Sequence, residues 1–158
     1  MLEFEVRPVR REDGRRMAEL LAAVAEERDG IATEPPVDID ARTHEFAQSA
    51  AGSLVAEADR AIIGMIHVGD GRFGVGELAM LVARGWRGRG VGSALLAEAI
   101  EGARVRGLHK LSLDVFAHNA AAIALYRKFG FVEEGRRVAQ YRRASGELWD
   151  SIVMRLLL

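Results

Sequence analysis

The run Arg84-Gly85-Trp86-Arg87-Gly88-Arg89-Gly90-Val91-Gly92-Ser93 sets glycines at alternate positions among arginines, directly ahead of the apolar stretch Ala94-Leu95-Leu96. Glycine lacks a Cβ, so its backbone N–H can turn towards a bound anion without obstruction. Several such groups at a helix start form an anion cradle, reinforced by the positive end of the helix dipole. The chemistry this implies is a grip on a diphosphate. Two common owners of such loops are excluded. The dinucleotide fingerprint G-x-G-x-x-G fails because Ser93 stands where its third glycine would fall, and no G-K-[ST] follows as a P-loop requires. A glycine-rich turn that only tightens a strand-to-helix connection is the alternative reading.

The surrounding pattern supplies elements to position this loop. Phe4 to Val9 reads as a strand. Met17, Leu20, Leu21, Val24 and Ala25 recur at helical spacing, predicting a helix over 13–27 with Asp13 as its cap. Pro35-Pro36 breaks the chain before a second helix at about 40–49. Ser53–Ala58, Ala61–Val68 and Phe73–Val82 are predicted as three antiparallel strands, joined by turns at Asp59-Arg60 and Gly69-Asp70-Gly71. A helix over Gly90–Arg106 leads to the strand Leu111–Val115, and Asn119 opens a helix that Gly130 closes. Phe131–Tyr141 and Leu148–Leu157 form a last hairpin. Strand–helix–strand from 73 to 115 is a crossover, which places two parallel strands inside an otherwise antiparallel sheet. Ligands favour the carboxyl ends of strands where strand order changes.

The chain of 158 residues is expected to form one domain, 1–158, with a core that needs neither disulfide nor metal. It has no cysteine, which excludes an acyl-cysteine intermediate and Cys-ligated zinc. A formal charge of −1 gives no global field for nucleic acid or anionic membranes. Met1–Arg7 lacks the pattern of a signal peptide, and no apolar run approaches the roughly 20 residues of a membrane span. A cytoplasmic location is the expectation. No His and carboxylate set has convincing metal-ligand spacing, so no metal is expected.

With the two other owners removed, Arg87-x-x-Gly90-x-Gly92 resembles the Q/R-x-x-G-x-G/A motif of the GNAT superfamily of acyl-CoA-dependent N-acyltransferases. Downstream, Asn119-Ala120-Ala121-Ala122-Ile123-Ala124-Leu125-Tyr126-Arg127-Lys128-Phe129-Gly130-Phe131 is similar to the family's second motif, N-x-x-A-x-x-L-Y-x-x-x-G-F. The resemblance covers about residues 53–157. It implies an α/β GNAT fold: a mixed, mostly antiparallel seven-stranded sheet, a parallel pair splayed near Leu81–Val82, and about four flanking helices. It implies acetyl-CoA as co-substrate, its pantetheine arm pairing with the backbone of Met80, Leu81 and Val82. The amides of Arg87, Gly88, Arg89, Gly90, Val91, Gly92 and Ser93 would hold the diphosphate, each charge-assisted bond being worth on the order of 1.5–3 kcal/mol.

The same resemblance puts Tyr126 beside the thioester sulfur. A phenol of ordinary pKa about 10 is reasonably matched to an alkyl thiol as proton donor. A core tyrosine beside Phe129 and Phe131 is the alternative. Asn119 either bonds the cofactor arm or only caps its helix. Glu77 stands where many relatives carry a base; it reads equally as a strand residue facing solvent. His118 and His67 are further candidates. With no cysteine, transfer should be direct within a ternary complex, the carbonyl oxygen's charge met by a backbone N–H at Leu81 or Val82.

The acceptor is expected to be a primary amine of a small molecule or peptide. A protein N-terminus or lysine, and a non-catalytic acyl-CoA sensor, are the competing readings. Ile31–Pro36 is similar to a loop of phosphinothricin and small-amine acetyltransferases, in which Glu34 would pair with a cationic acceptor. Arg136-Arg137 and Arg142-Arg143 read as a solvated edge rather than a nucleic-acid patch. A homodimer is expected, with the apolar strand ending at Leu156-Leu157-Leu158 shared between subunits.

Overall fold

Alternating apolar residues in short segments give the strands that organise the molecule. In the computed structural model, which describes residues 3–69 and 71–158, seven strands form one sheet in the order β1-β2-β3-β4-β5-β7-β6. They are β1 (Glu5–Pro8), β2 (Ser53–Ala58), β3 (Ala61–Val68), β4 (Val75–Val82), β5 (Lys110–Phe116), β6 (Val132–Arg142) and β7 (Leu148–Leu157). Four helices flank them: α1 (Gly14–Ala25), α2 (Ile39–Gln48), α3 (Val91–Val105) and α4 (Ala120–Lys128). The mixed α/β architecture is the expected one.

Asp59 and Arg60 join β2 to β3 with φ of 48° and 67°, both left-handed, so the tight turn forms there without glycine. Asp70, the centre of the next turn signal, lies outside the described residues. β4 begins at Val75 rather than Phe73, because Arg72–Gly74 forms a 3-10 turn with Phe73 at φ 63°.

One strand pair departs from antiparallel order. β4 and β5 run parallel and stay in register at only three pairs, Val75↔Lys110, Gly76↔Leu111 and Glu77↔Ser112. β4 then follows β3 while β5 follows β7, and the sheet splits. The split begins at Leu78, upstream of the expected Leu81–Val82. One face of the sheet packs on α3 and α4 through Leu78, Leu95, Leu96, Ile100, Leu111 and Phe131. The other buries Met17, Leu20, Leu21 and Val24 of α1 against Val55, Ile62 and Met65.

Two expectations are corrected. Asp13 does not cap α1. Fully buried, it accepts hydrogen bonds from both Arg7 terminal nitrogens at 2.8 and 2.9 Å and from Arg16 at 2.6 Å. Its bond to Arg7, above all, holds its carboxyl down at about 2. This ties β1 to the start of α1, so an apparent cap signal is a tertiary ion pair. The terminal strand β7 is not a free edge to share with another subunit, because β5 and β6 cover both of its sides.

Candidate active site

The glycine–arginine run forms a loop between β4 and α3. Gly88 and Gly90 adopt φ of 73° and 87°, and nothing lies within 4 Å of a Cβ built at either. Gly90 is the residue preceding α3, so the helix's first amides open onto that space. The N–H groups of Gly88 through Ser93 have no acceptor among the described residues, whereas Ala94 N–H already bonds Gly90 C=O at 3.0 Å. Gly92 differs: a Cβ there would come 3.0 Å from Leu125 Cδ2, so this glycine serves close packing on α4.

The arginine side chains point elsewhere. Arg87 makes a two-pronged pair with Glu27 at 2.6 and 2.8 Å and donates from Nε to Val82 C=O at 3.0 Å. Arg89 lies over the Trp86 ring at 3.8 Å and pairs with Glu3. The loop's free anion-binding capacity is therefore in its backbone.

The split exposes one edge of β4. Bonds from Ala83 N–H to Ile63 C=O (2.8 Å) and from Gly69 N–H to Glu77 C=O (2.9 Å) fix the phase of the β3–β4 ladder. Antiparallel pairs alternate between bonded and non-bonded, so Met65↔Leu81 and His67↔Ala79 are the bonded pairs. Leu81 thus turns its N–H and C=O into β3, contrary to its expected role towards the cleft. Met80 and Val82 direct theirs into the split. Sequence periodicity carries no information on this phase.

Asn119 caps α4, its Oδ1 accepting from Ala122 N–H at 3.2 Å. Tyr126 lies about two turns further along the same face of α4, 6% exposed and packed 5.6 Å from the Phe131 ring. Its hydroxyl has no hydrogen-bond partner among the described residues, and burial pushes its pKa up to about 12.

Two cavities meet here. One, of about 540 Å³, runs from Gly88, Gly90, Gly92 and Ser93 along Met80, Leu81 and Val82 to Asn119 and Tyr126. The other, of about 490 Å³, extends across the α1 face of the sheet and is lined by Phe46, His67, Ala79, Asp114, Tyr141 and Ser151. Tyr126, Asn119, Met80, Leu81, Gly30 and Ile31 border both. Glu77 borders neither, because it sits at the last paired position before the split.

A different carboxylate reaches the second cavity. Glu27, Asp29 and Glu45 each hold a basic partner within 3.0 Å, through Arg87, His118 and Arg42. Asp114 instead accepts from the Tyr141 hydroxyl at 2.8 Å, with Arg137 only at 4.0 Å. It lies just past the split on β5, which sequence spacing gave no reason to single out. His67 also borders this cavity, bonded through Nδ1 to Ser53 Oγ at 2.7 Å.

The segment joining α1 to α2 straps across both cavities. Glu34 does not face the cavity as a cation partner; it accepts from Ala144 N–H at 2.8 Å. Arg143, expected on a solvated edge, is 4% exposed. Arg136 and Arg137 do lie at the surface.

Comparison with known proteins places the whole chain. The family model described as acetyltransferase (GNAT) family matches residues 14–131. An L-methionine sulfoximine/L-methionine sulfone acetyltransferase of Pseudomonas aeruginosa is 34% identical over 137 residues, 81% of this chain and 79% of that protein. The crystal structure of a ribosomal-protein-alanine N-acetyltransferase from Brucella melitensis superposes with a TM-score of 0.88 at 31% identity, covering 98% of this chain and 99% of that one. A phosphinothricin acetyltransferase from Sinorhizobium meliloti, solved in complex with acetyl-CoA, shares the fold at a TM-score of 0.85 and 23% identity, covering 99% and 89%. The chain belongs to the GNAT family. It is an acyl-CoA-dependent N-acetyltransferase with acetyl-CoA as co-substrate. No helix among the described residues is long and apolar enough to cross a membrane.

Proposed function

We propose that the enzyme moves acetyl from acetyl-CoA directly to the primary amine of a compact acceptor, with the 540 Å³ cavity as donor channel and the 490 Å³ cavity as acceptor pocket. The observation that carries this reading is that the two meet at Tyr126, a buried side chain whose hydroxyl has no partner among the described residues and borders both. The cradle fits a diphosphate: unpaired amides from Gly88 to Ser93 border an open space that a side chain at Gly88 or Gly90 would fill. Bound acetyl-CoA supplies a thioester carbonyl open to attack by an amine. Met80 and Val82 offer peptide groups to its arm and to the charge developing on the carbonyl oxygen, while Val82 C=O stays with Arg87. Asn119, its Oδ1 occupied by the cap, has its amide nitrogen for the cofactor arm.

Tyr126 holds its proton at neutral pH, because burial disfavours the phenolate, and donates it at the departing sulfur. For the amine's proton, Asp114 is better supported than Glu77, since it borders the acceptor pocket without a close cationic partner. The pocket's volume suits a small molecule such as an amino acid, the acceptor in the name of the Pseudomonas relative. The Brucella relative's name supports the peptide alternative.

The test is CoA release followed by free-thiol detection over a panel of amines. Tyr126→Phe should lower kcat by roughly 10²–10⁴-fold with acetyl-CoA affinity preserved. An unchanged rate removes Tyr126 as the acid. A wild-type protein that binds acetyl-CoA but releases no CoA with any amine would instead be an acyl-CoA sensor.

A further inference from the structure

The strap between α1 and α2 is held by a residue more than a hundred positions away. Arg143, in the turn after β6, donates from Nη1 to Ala32 C=O at 3.0 Å and from Nη2 to Ile31 C=O at 3.3 Å. Its guanidinium lies 4.4 Å from the Trp149 ring centroid and 5.2 Å from that of Phe116. Glu34 sits 3.8 Å from Nε and also accepts from Ala144 N–H. The same turn is closed by Arg143 N–H to Glu147 C=O at 2.8 Å and Gly146 N–H to Arg143 C=O at 2.9 Å. A cation this deeply buried, stacked on aromatic rings and aimed at two carbonyls, specifies one position for the segment it holds.

That segment is part of the reaction chamber. Gly30, Ile31, Ala32 and Thr33 form the outer wall of the acceptor pocket, and Gly30 and Ile31 also border the donor channel. The N-terminal end of the strap has separate ties, Glu27 to Arg87 and Asp29 to His118 at 3.0 Å. Arg143 grips the stretch over the acceptor side, joined by Ala144 N–H on the Glu34 carboxylate. Phe116, which lies under the guanidinium, and Tyr141, packed 5.1 Å from the Phe116 ring, themselves line that pocket.

We infer that Arg143 is a positioning residue for acceptor recognition: from the last hairpin it sets where Ile31–Glu34 stand, and so the shape of the acceptor pocket. It touches neither the acyl group nor the acceptor. The inference rests on the assignment of the 490 Å³ cavity to the acceptor. Fixing a loop in the competent position before the ligand arrives removes an ordering penalty from binding, so loss of the tie should appear in acceptor KM rather than in the chemical step.

The experiment compares wild type, Arg143→Ala and Arg143→Lys. Arg143→Ala should raise acceptor KM about tenfold, change kcat by less than about threefold and leave acetyl-CoA affinity within about twofold. Discrimination among acceptors should narrow as the wall loosens. Amide hydrogens of Ile31–Glu34 should exchange at least about tenfold faster, while those of β3 and β5 keep wild-type rates. Arg143→Lys retains the cation over Trp149 and one donor, and should recover part of the KM. Unchanged exchange at Ile31–Glu34, or a KM effect shared equally by acetyl-CoA and acceptor, overturns the inference. A wild-type enzyme inactive on every amine overturns the acceptor assignment itself, whereas an active wild type with Arg143→Ala kinetics unaltered overturns only the role of Arg143.

Discussion

The cavities we assign to donor and acceptor adjoin at Tyr126, yet they are built by opposite means. The donor side is made mainly of backbone: amides of Gly88 to Ser93 and the freed peptide groups of Met80 and Val82, contributed by one stretch of β4, loop and α3. The acceptor side is gathered from α1, α2, α4 and strands β2 to β7, with a strap pinned from the far end of the chain. Backbone recognition constrains only where glycine is needed, which leaves a short, regular signature in the sequence. A pocket of side chains gathered from nine elements leaves none.

The sharpest way to break this contrast is at Gly90. Gly90→Glu forces a side chain into a left-handed residue and places a carboxylate in the cradle, so acetyl-CoA binding should be lost by calorimetry while the fold persists. Binding at wild-type strength would show that the cradle does not hold the diphosphate. Gly92→Glu is expected to lose stability as well, because Leu125 occupies the space. On the acceptor side, Asp114→Asn should reduce kcat/KM for the amine by about 10²-fold and spare acetyl-CoA affinity, with Glu77→Gln nearly silent. Reversal of that order would restore Glu77. The smallest expected effect is in the pH profile. With the Tyr126 hydroxyl held near 12, activity should climb as the amine deprotonates and show no descending limb from this group up to about pH 10. A limb at pH 8–9 that Tyr126→Phe abolishes would contradict the burial argument.

Much of the fold was legible. β2, β3 and β7 stand at their predicted bounds, since alternation over six to ten residues with turn residues at both ends admits few other structures. Gly90, Asn119 and Tyr126 could be singled out because their motif spacing is local, and all three border the 540 Å³ cavity. What escaped the sequence is long-range. Asp13 has the right type and place for a helix cap, and only the approach of Arg7 turns it into a buried ion pair. Arg143 alternates with exposed residues, and only contacts more than a hundred residues upstream bury it. The placement of Leu81 and Glu77 escaped the sequence for a third reason: which peptide groups face the cleft, and where pairing stops, depend on ladder phase and not on residue type.

The three-pair junction of β4 with β5 has a mechanical consequence. A sheet opened along its middle behaves as two jaws on a short fulcrum, and the fulcrum here is Val75–Glu77 against Lys110–Ser112. At its centre a Cβ on Gly76 would lie 2.8 Å from both Leu108 and Val68 and 3.0 Å from Leu111. One added methyl would act as a shim between the jaws, altering the gape at Tyr126 from the opposite end of the strands.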